Sequence, residues 1–151
     1  IGACPGGWSQ VSSKIISEGK ILSIDIKKMD ELKNVSFLQC DFLQESTKEK
    51  ILYFFGEKLD VVLSDMAADT TGNKSLDCIR TNKLCTEVVE FSSKILKPNG
   101  VLVSKLFMGD DFLEVKELAK SKFKKVDFFK PEASRSESKE TYIHCALLKT
   151  L

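Results

Sequence analysis

Three aspartates, Asp25, Asp41 and Asp65, and one lysine, Lys105, each close an apolar run of strand length, and the chain opens on a glycine-rich turn, Gly2-Ala3-Cys4-Pro5-Gly6-Gly7-Trp8. Glycine lets the backbone approach a ligand closely with φ above zero, and the helix start that follows offers unpaired N–H groups. A carboxylate at a strand end accepts hydrogen bonds from nucleoside hydroxyls and amino groups. Asp25 is suited to both hydroxyls of a ribose and Asp41 to an adenine amino group. Together these residues describe a site for a nucleotide-like cofactor. The spacing G-x-x-x-G-G departs from the G-x-G-x-x-G of dinucleotide enzymes, and Pro5 stiffens the turn where that fingerprint has no proline. Strand ends are often polar for solvation alone, so a single aspartate leaves both readings open. Three in register with a glycine loop favour the site.

Lys105 moves the reading from binding to chemistry. A lysine after Val101-Leu102-Val103-Ser104 must either carry its ammonium to solvent or meet a partner charge, and Asp65, closing another strand, is the expected partner. A lysine held among acids and apolar walls can orient or deprotonate an oxygen nucleophile. An ordinary ion pair is the alternative reading of the same two residues.

The elements that must position these residues alternate. Residues 21–25, 35–39, 59–65 and 101–107 read as strands, the third nearly continuous in apolar character as in a parallel sheet covered on both faces. The opening loop feeds a helix. Residues 77–96 carry Ile79, Leu84, Val88, Val89, Phe91, Ile95 and Leu96 at helical spacing, and Pro98-Asn99-Gly100 ends that helix with a turn. A shorter helix is expected over 112–122, and strands over 126–129 and 142–148. Alternation of this kind implies a doubly wound α/β sheet.

With 151 residues, 42% of them hydrophobic, the chain has material for one domain and one core. A net charge of +1 excludes a general polyanion coat, so any nucleic-acid surface must come from local clustering of Lys and Arg. Lys120, Lys122, Lys124, Lys125, Lys130, Arg135 and Lys139 form such a cluster; the alternative is a solvated face balanced by Glu114, Glu117, Glu132 and Glu137. Five cysteines without a C-x-x-C pair point to reduced, mostly buried thiols of a cytosolic protein. No run approaches the length of a membrane span. The lone His144 lies inside the last strand without ligand partners nearby in sequence and is expected to be structural.

Five segments carry a family resemblance: Gly2-Ala3-Cys4-Pro5-Gly6-Gly7-Trp8-Ser9-Gln10, Phe37-Leu38-Gln39-Cys40-Asp41-Phe42, Ser64-Asp65-Met66-Ala67, Lys105-Leu106-Phe107, and the stretch from Lys130-Pro131-Glu132-Ala133-Ser134-Arg135 to Glu140-Thr141-Tyr142. Over essentially its whole length the chain resembles the FtsJ/RrmJ (RlmE) family of S-adenosylmethionine-dependent ribose 2′-O-methyltransferases, in its bacterial branch. The resemblance implies a Rossmann-like methyltransferase fold, with a mostly parallel doubly wound sheet and an antiparallel C-terminal strand. It implies S-adenosylmethionine as cofactor, lined by Gly6, Trp8, Asp25, Asp41 and Asp65, and a reaction that needs no metal. The family's Lys-Asp-Lys-Glu set is matched in its last three members by Asp65, Lys105 and Glu140. Its first lysine belongs upstream of the glycine loop, where this sequence starts, so the chain is expected to be a single methyltransferase domain lacking its first strand and N-terminal segment. The implied substrate is a uridine ribose of large-subunit (23S) ribosomal RNA, within the large ribosomal subunit, methylated by a cytoplasmic monomer.

Three rivals stay open: methylation of another RNA such as tRNA, a noncatalytic methyltransferase-like RNA-binding module, and a nicotinamide-dependent oxidoreductase. The last shares the fold and the ribose acid but gives Asp65, Lys105 and Glu140 no role.

Overall fold

A computed structural model describes residues 1–150, which divide into two compact units, Ile1–Glu57 and a second from Lys58 onward. In the first unit, β1 (Leu22–Asp25) and β2 (Ser36–Gln39) pair in parallel, in register from Leu22 opposite Ser36 to Asp25 opposite Gln39. Helix α1 (Gly7–Ile15) precedes β1, and the buried hydroxyls of Ser9 on the helix and Ser23 on the strand share a 2.7 Å hydrogen bond that ties the two together. Gly6 begins the helix at φ 120°, a left-handed conformation that strains any residue with a Cβ. A Cβ there would also sit 3.1 Å from the Met29 sulfur.

Helix α2 (Glu45–Phe55) is an element the sequence reading did not identify. Its apolar residues run together from Ile51 to Phe55 instead of recurring every three or four, so they present no single stripe. Only Thr47 and Ile51, four apart, are buried, and Tyr53 is 91% exposed. Gly56, at φ 67°, closes it with an N–H bond to the Leu52 carbonyl at 2.9 Å.

The second unit is built on a four-stranded sheet in the order β3-β4-β6-β5. β3 (Leu59–Ser64) and β4 (Leu96–Phe107) are parallel and joined by α3 (Lys74–Ile95); after α4 (Phe112–Lys122), β5 (Phe123–Phe129) and β6 (Glu140–Leu148) complete the sheet. β6 runs antiparallel to both β4 and β5, as expected for the last strand. The core lies between this sheet and the helices: Leu102, Leu106 and Ile143 from the strands, and Val88, Val89 and Ala119 from the helices, are fully buried. The chain thus has the α/β alternation its patterning predicts. Among the described residues no helix is long and apolar enough to cross a membrane.

Four boundaries differ from the sequence reading by more than one residue, each for a local reason. α3 starts at Lys74 because the Asn73 side chain accepts the Leu76 N–H at 3.1 Å and caps it. β5 and β6 begin at Phe123 and Glu140, ahead of the expected 126 and 142, because the Lys149 N–H to Lys122 carbonyl bond (2.9 Å) at one end and the Met108 N–H to Lys139 carbonyl bond (2.8 Å) at the other extend the pairing. Pro98-Asn99-Gly100 does not separate helix from strand. Leu59 pairs with Leu96 and Val61 with Val101, so the turn is an excursion inside β4, three residues longer than the opposing stretch of β3.

Candidate active site

Strand alternation decides which face Lys105 occupies. Leu102, Ser104 and Leu106 point into the core, which turns Lys105 to the other face. The register sets Lys105 opposite Tyr142 of β6 and Phe107 opposite Glu140, while Ser64 at the end of β3 pairs with Ser104, so that Asp65 emerges beside Lys105. The result is a compact polar group: Lys105 Nζ lies 3.0 Å from Asp65 Oδ1 and 3.5 Å from Glu140 Oε1. The lysine side chain is 12% exposed, against 31% and 34% for its two acids. An ammonium so shielded is held in one place by two carboxylates, with its remaining N–H directions open to an oxygen atom of a ligand.

Tyr142 is the member that sequence reasoning missed. Its hydroxyl donates to Asp65 Oδ1 at 2.8 Å and lies 3.3 Å from Glu140 Oε1, so it braces both acids that hold the lysine. Burial, followed by the neighbouring Asp65 and Glu140 carboxylates, pushes this phenol far above the ordinary tyrosine range, and it serves as a donor. The available signal was its position two residues after Glu140, which in a strand means the same face. The Phe129 ring stacks on Tyr142 with centroids 5.6 Å apart.

The end of β4 is fixed from beneath. Asn82 of α3, fully buried, accepts the Phe107 N–H at 2.7 Å and donates to the Phe107 carbonyl at 2.9 Å and to Asp111 Oδ1 at 2.8 Å. Satisfying both backbone groups of a residue two positions beyond Lys105 holds the strand end against fraying.

The expected cofactor residues Gly6, Trp8, Asp25 and Asp41 belong to the first unit, and Asp65 to the second. Asp25 gathers the glycine loop: its Oδ2 accepts the Cys4 N–H and its Oδ1 the Lys27 N–H, each at 2.8 Å. The Ala3 N–H meets the Ile24 carbonyl at 3.1 Å, so the loop runs along the end of β1. Asp41, just past the neighbouring strand, accepts the Leu43 N–H on Oδ1 at 2.9 Å. Trp8 sits in the first turn of α1, its carbonyl accepting the Ser12 hydroxyl at 2.8 Å. Each Asp25 oxygen uses one lone pair on backbone and retains another, which is the donor-accepting capacity a ribose diol requires.

The basic cluster is less free than its composition suggests. Lys120, Lys122 and Lys125 form ion pairs with Glu117, Glu90 and Asp127. Lys130 Nζ donates to the carbonyls of Ser136 at 3.1 Å and Ser138 at 2.6 Å, closing its own loop. His144, opposite Val103 in the sheet, has its Nδ1 3.7 Å from Asp127 Oδ2. The five cysteines are all free, with Cys78, Cys85 and Cys145 buried and Cys4 and Cys40 partly exposed.

A family model described as FtsJ-like methyltransferase matches residues 1–147. The chain is 45% identical over 149 residues to the Ribosomal RNA large subunit methyltransferase E of Pelagibacter ubique, covering 99% of this chain and 73% of that protein. To the protein of the same name from Rickettsia akari it is 46% identical, covering 95% of this chain but 66% of the relative. Among solved structures, a ribosomal RNA methyltransferase, putative, from Plasmodium falciparum superposes with a TM-score of 0.86 at 27% identity, over 98% of this chain and 84% of that one.

Proposed function

The chain belongs to the FtsJ-like methyltransferase family, and from that premise we propose that it transfers a methyl group from S-adenosylmethionine to the ribose 2′-hydroxyl of a uridine in large-subunit ribosomal RNA. The observation that carries the reading is Lys105, shielded at a strand end between Asp65 and Glu140. A binding module gains nothing from burying a lysine between two acids that are themselves braced by a tyrosine. The relatives' printed names support ribosomal RNA of the large subunit as the substrate.

S-adenosylmethionine supplies an electrophilic methyl on a sulfonium. In the first unit Asp25 would hold its ribose hydroxyls, Asp41 its adenine amino group, and the backbone around Gly6 and Trp8 its remaining length; in the second unit Asp65 is the remaining residue proposed for the cofactor. Lys105 would orient the 2′-oxygen for attack on the methyl group, and such orientation can supply a large part of the acceleration. As the new O–C bond forms, the methyl–sulfur bond would break to release S-adenosylhomocysteine, and the hydroxyl proton would pass to Glu140, or to Lys105 once it has given up a proton and stands as the neutral amine. Asp65 and Tyr142 keep Lys105 aligned while this happens.

The test is transfer of labelled methyl from S-adenosylmethionine to ribosomal RNA, free and assembled in the large subunit, taken from cells lacking the enzyme, followed by mapping of the modified ribose. A single 2′-O-methyluridine in the large-subunit RNA is the expected product. Label on a base, on tRNA, or absent altogether refutes the proposal.

A further inference from the structure

β3 stops short of its neighbour. Its last residue, Ser64, pairs with Ser104, whereas β4 continues to Phe107, so a notch opens at the end of the sheet, bridged by the 3.0 Å ion pair of Asp65 with Lys105. Along the notch β4 has lost its strand partner. The Met108 N–H bonds the Lys139 carbonyl on the β6 side, and strand alternation turns the N–H and carbonyl of Phe107 to the opposite edge, where β3 no longer runs. Two adjacent residues of α3 fill the gap. The Asn82 amide takes both backbone groups of Phe107, as a passing strand would, and its second N–H goes to Asp111 Oδ1. These bonds fix which way the amide faces, since the reverse orientation would set donor against donor at the Phe107 N–H. One position earlier, the Thr81 hydroxyl accepts the Ala68 N–H at 3.2 Å and holds the other wall, the loop that leads away from Asp65.

Thr81 and Asn82 are both fully buried, on a helix face otherwise lined by Cys78, Cys85, Val88 and Val89. Apolar side chains would fill such positions at no desolvation cost, whereas a polar one is stable there only when bonded. Here the bonds go to the two backbone segments that present Asp65 and Lys105. Phe107 is also the cross-strand neighbour of Glu140, so the clamp on Phe107 bears on the second acid as well. We infer that Thr81 and Asn82 are positioning residues for the methyl transfer: they set the width of the notch, and with it the alignment of Lys105 between Asp65 and Glu140. The inference rests on the function proposed above and adds what keeps the reacting lysine in line.

The experiment uses the full-length protein with large-subunit ribosomal RNA. Thr81→Val and Asn82→Leu keep the size of each side chain and remove its hydrogen bonds. Each is expected to lower kcat about tenfold, within the roughly 10²-fold that a misplacement of about 1 Å can cost, while KM for RNA and the calorimetric Kd for S-adenosylmethionine stay within about twofold of the parent. Amide hydrogen exchange reads the clamp without reference to activity: Ala68 in the first variant and Phe107 in the second should exchange about tenfold faster or more. Thr81→Ser keeps the hydroxyl and should keep the parent kcat, and these two Thr81 variants carry the test alone if Asn82→Leu does not fold. Ile95→Val, buried at the far end of the same helix, should lower the Tm and leave kcat unchanged. Parental kcat or parental amide exchange in Thr81→Val and Asn82→Leu, or an equal loss of kcat in Thr81→Ser or Ile95→Val, overturns the positioning role. Failure of the parent enzyme to methylate RNA, with the exchange changes as expected, overturns instead the function on which it rests.

Discussion

In the proposed reaction Lys105 carries the chemistry and Asp25 the retention of the cofactor, so their substitutions should have separate effects. Lys105→Ala is expected to lower kcat by about 10²–10⁴-fold, the range for removing a positioned proton-transfer group, while the calorimetric Kd for S-adenosylmethionine stays put. Asp25→Ala should do the reverse: losing hydrogen bonds to a charged acceptor, about 1.5–3 kcal/mol, weakens cofactor binding roughly 10- to 150-fold. Turnover in the first variant, or unaltered affinity in the second, would remove that residue from its role. Both residues were legible in the sequence because a charge closing an apolar run leaves few places for its side chain. Tyr142 was not, since an aromatic residue in a strand reads as core, and the acids that its hydroxyl braces, Asp65 and Glu140, lie 77 and two positions away along the chain. The bonds of Lys130 were hidden for a related reason: its partners are backbone carbonyls of Ser136 and Ser138, which composition never reveals.

Elements with one clear stripe were legible and those without were not. Helix α3 was found from its apolar spacing, although its buried face also uses Thr81, Asn82 and Ser92, and Ile79, counted as core, is 47% exposed. Helix α2 escaped because its apolar residues are contiguous. The start of α3 makes a pH-dependent prediction. Asp77 Oδ1 accepts both the hydroxyl (2.7 Å) and the N–H (2.9 Å) of Thr71, anchoring the loop that follows Asp65 to the helix, and these bonds, with a smaller contribution from Arg80, hold its carboxyl below the 3.8 of a free aspartate. A lowered folded-state value means the stabilisation is present in full above 3.8 and is lost as pH falls through the lower folded value. Asp77→Asn should therefore melt below the parent at neutral pH and converge with it under acid conditions. A constant gap in melting temperature across the titration would contradict this.

At the scale of the whole molecule, burial sorts the thiols into two chemical classes. Cys78, Cys85 and Cys145 are at most 4% exposed, and burial pushes Cys85 up to about 11 and Cys145 up to about 12. Iodoacetamide at mildly alkaline pH should therefore modify Cys4 and Cys40 in the native protein and the other three only after unfolding, as counted by intact mass. Rapid native labelling of Cys145 would contradict the packing of the β4–β6 layer. The excursion at residues 97–100 has a different consequence, for which lengths of chain this fold can inherit. Side chains along a strand obey an odd–even rule, so one extra residue between Val101 and Lys105 would exchange the lysine for a core position and extinguish activity. An extra residue among 97–100 falls where the two strands have already lost step, and the parity of everything downstream is preserved. A glycine inserted after Asn99 should thus leave a working enzyme and one inserted after Val103 a dead one, which makes this small irregularity the place where natural insertions and deletions in β4 can accumulate unseen by the chemistry.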